Sequence, residues 1–227
     1  MEGRPRYRRL YDRFLSRVYD LYMGWYMLPF GGEQRFRRKM LEGLAFRADE
    51  RLLDCTCGTG SCTAALRECA GPEALVVASD LSLGQLRMAN RKPALAGVPL
   101  LGADASGLPF RDGAFDSVFI PHAVHEMPRD LRMAVFREAR RVCCRDGRVV
   151  VLELDQPSRP WLRWLIGLWF FYWVPPPLNF ETRTRRDLQR RGLVREVSEA
   201  GFSKVRKLSK YAGTMQVVEA RGDVAEN

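Results

Sequence analysis

A chain of 227 residues with 46% hydrophobic and 28% charged side chains has the size and composition of one folded domain, which excludes a disordered or fibrous protein. No apolar h-region precedes Leu10, so no signal peptide is expected, and the six cysteines read as reduced thiols of a cytoplasmic protein. The net charge of +10 comes from 32 arginines against 5 lysines; it suits an anionic surface or simply covers solvated faces, and no reader motif points to nucleic acid.

In chain order, residues 1–48 read as a basic helical N-terminal cap. Tyr7, Leu10, Tyr11, Phe14, Leu15, Val18 and Leu21 follow helical spacing, with Arg4, Arg6, Arg8, Arg9, Arg13 and Arg17 among them. Such a helix can lie on an anionic membrane, cover a site as a lid, or close one edge of the core. Pro29-Phe30-Gly31-Gly32 breaks the pattern, and a second helix is expected from about Glu33 to Leu44.

Residues 49–227 read as one α/β domain with an aromatic insertion at about 158–180. Arg51 to Asp54 is a short strand, Cys55 to Gly60 a turn of small residues, and a helix starts directly after it. Leu75 to Ser79 is a continuous apolar run of buried-strand type ending at Asp80, and Ser82 caps a helix reaching about Arg91. Val98–Leu101, Phe115–Ile120 and Arg148–Leu154 are further strands, the last introduced by the turn Arg145-Asp146-Gly147. Helices are expected over Leu131–Val142 and near Arg186–Ala200, and Val205–Leu208 with Met215–Ala220 forms a closing strand pair. The predicted fold is therefore α/β: a Rossmann-like, seven-stranded, mostly parallel sheet with an antiparallel C-terminal hairpin and a helical cap. Its ligand is expected outside the strand C-termini.

A strand, a glycine turn and a helix in that order bring backbone N–H groups and a helix N-terminus to one point, where an anionic group can be held. A dinucleotide turn wants a third glycine where this chain has Thr63, whereas Asp80 fits a ribose-binding acid in any nucleoside site. Asp54 discriminates: a carboxylate beside the turn suits a zwitterionic amino-acid moiety and would repel a pyrophosphate.

In LLDCTCGTG, VVASDLS, GADASGLPFRDGAFDSV, REARRVCCRDGRVVVLE and SEAGFSKV the chain resembles class I S-adenosylmethionine-dependent methyltransferases, specifically the ubiquinone/menaquinone-biosynthesis type. The matching stretches span roughly residues 50–155 and 196–220. The resemblance implies S-adenosylmethionine as cofactor. It assigns Gly58, Thr59 and Gly60 to the methionine end, Asp54 to the ammonium, Asp80 to the ribose hydroxyls, and Asp104 with Ala105 to the adenine; Leu81 and Pro121 complete the set. Two departures lie on the substrate side. After the fourth strand this chain has HAVHEMP where the quinone enzymes carry Gly-x-Arg-Asn, and the Asn that usually follows Tyr19-Asp20 is missing from YDLYM.

His122 and His125 are the only two histidines. Each can serve as a general base over the methyl group, or as a capping or substrate-wall residue. The H-E-x-x-H spacing of a metal site is absent, so no metal is expected. Cys55, Cys57 and Cys62 crowd the turn and read as small packing residues, and Cys143-Cys144 is placed on the far side of the sheet.

Trp161 to Val174 holds four of the five tryptophans, and Pro175-Pro176-Pro177 stops it short of the roughly 20 residues of a membrane span. Trp161, Trp164, Trp169 and Tyr172, with Tyr19 from the cap, are candidates for contacting substrate or a bilayer interface; a homodimer face is the other use of so many aromatics. The expected reaction is methyl transfer to a lipophilic small molecule, a polyprenyl-quinone precursor or a phospholipid headgroup, by a cytoplasmic protein peripheral at the inner face of the membrane. Methylation of a soluble aromatic or natural product, a nicotinamide-dependent oxidoreductase and a non-catalytic methyltransferase-like binding subunit are the alternatives.

Overall fold

The computed structural model describes residues 20–21, 23–25, 27–157, 159–165 and 182–222. Its seven strands are β1 (Arg51–Asp54), β2 (Leu75–Asp80), β3 (Leu100–Gly102), β4 (Phe115–Pro121), β5 (Cys143–Leu154), β6 (Phe202–Lys210) and β7 (Met215–Gly222). They form one sheet in the order β3-β2-β1-β4-β5-β7-β6. β1 to β5 run parallel, and β7 lies antiparallel to both β5 and β6. The helices are α1 (Glu33–Leu41), α2 (Ser61–Ala70), α3 (Leu83–Ala89), α4 (Arg129–Val142), α5 (Thr182–Arg191) and α6 (Leu193–Glu199). This is the Rossmann-like architecture expected.

The strands read as unbroken apolar runs because both faces are covered. In β5, Val149 and Val151 join one buried cluster with Phe136, Leu188, Leu193 and Val197, while Val150 and Leu152 join another with Phe36, Met40, Leu41 and Leu66. The alternation is the period of two of a pleated strand. The chain lays down β1, β2 and β3 outward, then returns with β4 on the other flank of β1. The C-terminal ends of β1 and β4 therefore bound the switch-point crevice at which open α/β sheets bind ligands.

Three expectations are corrected. The helix from Glu33 stops at Leu41, since Glu42 turns to ψ 131° and Gly43 takes φ 88°, a left-handed value that favours glycine. The cap's residues 1–19 lie outside those described. The helix near Arg186–Ala200 is two helices, α5 and α6, parted at Gly192 with φ 83°. Arg145-Asp146-Gly147 belongs to β5, which starts at Cys143 through a register shift against β4. A Cβ at Gly147 would stand 2.5 Å from the Asp116 carbonyl oxygen, so the irregular pairing needs glycine there.

Candidate active site at the strand switch point

The turn between β1 and α2 is fixed by backbone bonds to both neighbouring strands. Cys55 N–H donates to Phe119 O of β4 at 3.0 Å, and Cys57 N–H to Ser79 O of β2 at 3.0 Å. Asp80 ends β2 and accepts from Gly58 N–H at 2.8 Å on one oxygen and from Ser82 N–H at 2.8 Å on the other. Asp80 is thereby locked between the turn and the cap of α3, beside half-buried Leu81. Ser82 Oγ accepts from Gln85 N–H at 3.2 Å, the N-cap expected. Ala103 N–H donates to Asp80 O, which brings the end of β3 alongside, and Asp104 Oδ1 accepts from the N–H and hydroxyl of Ser106. Ala105 is buried next to it. Across the crevice, Thr56 Oγ1 donates to Pro121 O at 3.4 Å. Asp54, Gly58, Thr59, Gly60, Asp80, Leu81, Asp104, Ala105 and Pro121 are thus placed along one edge of the sheet.

Gly58 takes φ 56°, and a Cβ there would meet nothing within 4 Å, so the turn faces open space. Gly60 takes φ 81°, a left-handed value that favours glycine, and a Cβ there would crowd Leu95 Cδ1 at 2.2 Å and Ala89 Cβ at 3.3 Å. Asp54 is fully buried; its Oδ2 accepts from Thr63 Oγ1 at 2.7 Å, and its Oδ1 has no hydrogen-bond partner. Burial pushes its pKa up to about 7, against the Thr63 bond. An orphaned buried carboxylate oxygen beside an open glycine turn fits a ligand with an ammonium group. S-adenosylmethionine has one.

The two histidines separate. His122 follows β4 at φ 48°, its Nε2 is buried without a partner, and its ring lies 5.7 Å from that of Phe36. Desolvation, then Arg37, holds its pKa well below 6.5, so it is neutral at pH 7. His125 Nδ1 stands 2.8 Å from Oε1 of Glu153, a fully buried carboxyl near the end of β5. Glu153 also accepts from His125 N–H at 3.1 Å and Leu154 N–H at 2.6 Å. With the acceptor on Nδ1, the ring carries its hydrogen there and Nε2 is the basic nitrogen.

Sequence reasoning missed Glu153, Thr63 and the ring cluster around His122. Phe30 and Tyr211 pack on Phe36 with ring centroids at 5.6 and 5.2 Å. A lone acid closing an apolar strand was the available signal for Glu153, because a buried carboxyl needs partners. Trp161 and Trp164 are 57% and 66% exposed on a helical turn at 160–165, while Tyr19, Trp169 and Tyr172 lie outside the described residues. Cys55, Cys57 and Cys62 are buried thiols whose pKa burial raises, and Cys144 Sγ lies 3.5 Å from Asp116 at the opposite edge of the sheet. Among the described residues no group of three His, Cys, Asp or Glu is placed to hold a metal.

The model of the ubiE/COQ5 methyltransferase family matches residues 8–178. An uncharacterized methyltransferase of Synechocystis sp. is 32% identical over 215 residues, covering 92% of this chain and 93% of its own. Demethylmenaquinone methyltransferase of Staphylococcus aureus is 29% identical over 211 residues, covering 88% of this chain and 86% of its own. The crystal structure of a SAM-dependent methyltransferase from Thermotoga maritima shares the fold with a TM-score of 0.62 at 17% identity, over 92% of this chain and 98% of that one. With its switch-point turn, orphaned Asp54 and sheet order, the chain belongs to the ubiE/COQ5 methyltransferase family and is an S-adenosylmethionine-dependent methyltransferase.

Proposed function

We propose that the acceptor is a lipophilic aromatic molecule of the polyprenyl-quinone precursor class, met at a membrane surface, and that His125 removes its proton. The His125–Glu153 pair carries this reading. S-adenosylmethionine, when bound, supplies a sulfonium methyl group open to in-line displacement. A phenolic ring becomes a strong enough nucleophile when its hydroxyl loses its proton, and a histidine fixed by a buried carboxyl is suited to take it. Glu153 acts as a positioning residue, holding the ring orientation and tautomer of His125. Asp54, Asp80 and the glycine turn hold the cofactor, and His122 serves as a wall residue with Phe36. The kinship to a demethylmenaquinone methyltransferase supports the acceptor class. Exposed Trp161, Trp164 and Leu165 after β5 support a surface partner.

The test is incubation with labelled S-adenosylmethionine and a whole-cell lipid extract, read by mass spectrometry. One methyl mass added to prenylated quinone precursors is the expected result; label confined to phospholipid headgroups or to water-soluble aromatics would overturn the quinone class. His125→Ala is expected to lower kcat about 10²–10⁴-fold while leaving S-adenosylhomocysteine binding intact. Glu153→Gln should lower kcat and displace the pH–rate profile with little change in KM.

A further inference from the structure

Lys92 lies beyond α3, yet its ammonium reaches back to the glycine turn. Nζ donates to Thr59 Oγ1 at 3.2 Å, to Ser61 Oγ at 3.1 Å and to Asp20 Oδ1 at 3.1 Å, with Asp20 Oδ2 at 3.0 Å. Thr59 Oγ1 in turn donates to Asp20 Oδ1 at 2.6 Å. Thr59 is only 2% exposed, and Ser61 opens the ten-residue α2. The N-terminal segment, the turn, the start of α2 and the loop after α3 therefore meet in one cluster, where one cation faces one anion.

An ammonium has three donors and no acceptor. Here three side chains already occupy them. A second anion arriving at the cluster has to replace a present partner, and only replacing Asp20 keeps the charge balanced, since Thr59 and Ser61 are neutral. The start of α2 favours an anion in the same place. At the end of β1, just before the turn, Asp54 presents an orphaned carboxylate oxygen and is bonded to Thr63 of the same helix. A cationic side chain and an anionic one, both bonded to the turn–α2 unit, form the charge pattern that complements an α-amino acid group.

We propose that Lys92 is the counter-ion of the methionine carboxylate of S-adenosylmethionine, and that Asp20 is an internal stand-in which this carboxylate displaces. The inference rests on the reading that the glycine turn holds the methionine end of the cofactor. Asp20 then competes with the cofactor, and its release from Lys92 and Thr59 ties the N-terminal segment to cofactor occupancy.

Calorimetric titration of the full chain with S-adenosylhomocysteine and with its decarboxylated analogue tests this. Lys92→Met is expected to weaken S-adenosylhomocysteine about tenfold or more, as loss of a charged hydrogen bond would, and to leave the decarboxylated analogue within about twofold. Lys92→Arg should keep the preference for the carboxylated ligand. Asp20→Asn should tighten S-adenosylhomocysteine several-fold by removing the competitor. Equal losses for both ligands in Lys92→Met, or weaker binding in Asp20→Asn, would reduce the cluster to a latch for the cap and overturn the proposal. Asp80→Ala separates the two levels. Full affinity in that variant would overturn the placement of the cofactor and this proposal with it, whereas its loss of binding beside an unaffected Lys92→Met would overturn the proposal alone.

Discussion

Asp54 sets a cost on the ligand-free protein and a use for that cost. Its pKa rises to about 7 because burial penalises the charge more than the Thr63 hydroxyl offsets it. A carboxyl whose folded pKa lies above its unfolded value of about 4 binds its proton more tightly in the folded state, so its contribution to stability falls as pH rises from about 4 to about 7. Asp54→Asn is therefore expected to raise the thermal midpoint of the ligand-free protein at pH 8, with the gain shrinking toward pH 5. A cofactor ammonium needs the ionised form, so wild-type affinity for S-adenosylhomocysteine should climb with pH up to about 7, at most about tenfold per pH unit, and Asp54→Asn should flatten that slope. Calorimetry across pH 5.5–8 checks the second effect; a flat wild-type profile would remove Asp54 from the ammonium role. At this scale the glycine turn with Asp54 before it and Asp80 after it stood out from the strand–turn–helix order, while Asp104 was indicated only by the resemblance. The contacts of Glu153 and Lys92 were not legible, because their partners His125 and Asp20 lie 28 and 72 positions away, and that of Thr63 with Asp54 was not, because it depends on how α2 packs back on the end of β1.

Among the elements, α5 and α6 share an apolar cluster with α4 and are also bonded to it by one buried guanidinium. Arg132 is fully buried; it donates to both oxygens of Glu196 at 2.7 Å, to Asp187 at 2.7 Å and to Met127 O at 2.7 Å. Removing the buried partner of such a pair costs up to about 3–5 kcal/mol, and here only the part-exposed Asp187 would remain as counter-charge. Glu196→Ala is expected to lower stability by that amount in urea unfolding, whereas loss of the exposed Glu199 pairs with Arg129 and Arg195 should leave the midpoint unmoved. A neutral outcome for Glu196→Ala would mean that water reaches Arg132. Strand positions followed from apolar runs, since burial on both faces writes itself into composition. The break at Gly192 and the irregular start of β5 did not. The first hangs on the φ of one glycine, the second on a register shift set by the partner strand.

For the whole molecule, six of the eight exposed large apolar side chains among the described residues lie on two segments tied to the active edge, while Leu75 is exposed at the start of β2 on the other edge. Leu21, Trp25 and Leu28 of the N-terminal segment are exposed, as are Trp161, Trp164 and Leu165 after β5. Asp20 ties the first group to the glycine turn. Arg163, bonded to Pro157 O, and Pro157, against Gly213 of the β6–β7 turn, tie the second to the same edge. Among the described residues no helix is long and apolar enough to cross a membrane. A surface-bound mode predicts that Trp161→Ser with Trp164→Ser lowers co-sedimentation with anionic vesicles while S-adenosylhomocysteine binding is kept; unchanged sedimentation would remove these tryptophans from a membrane role.

The sequence alone determined the class of fold and the cofactor turn, because both rest on local order: apolar period, small residues at a sharp turn, an acid at a strand end. Which histidine meets a carboxyl, which lysine guards the turn and which oxygen is left unpaired were decided only by the tertiary structure. The first two are contacts between groups 28 and 72 positions apart in the chain, and the third is set by the burial of Asp54.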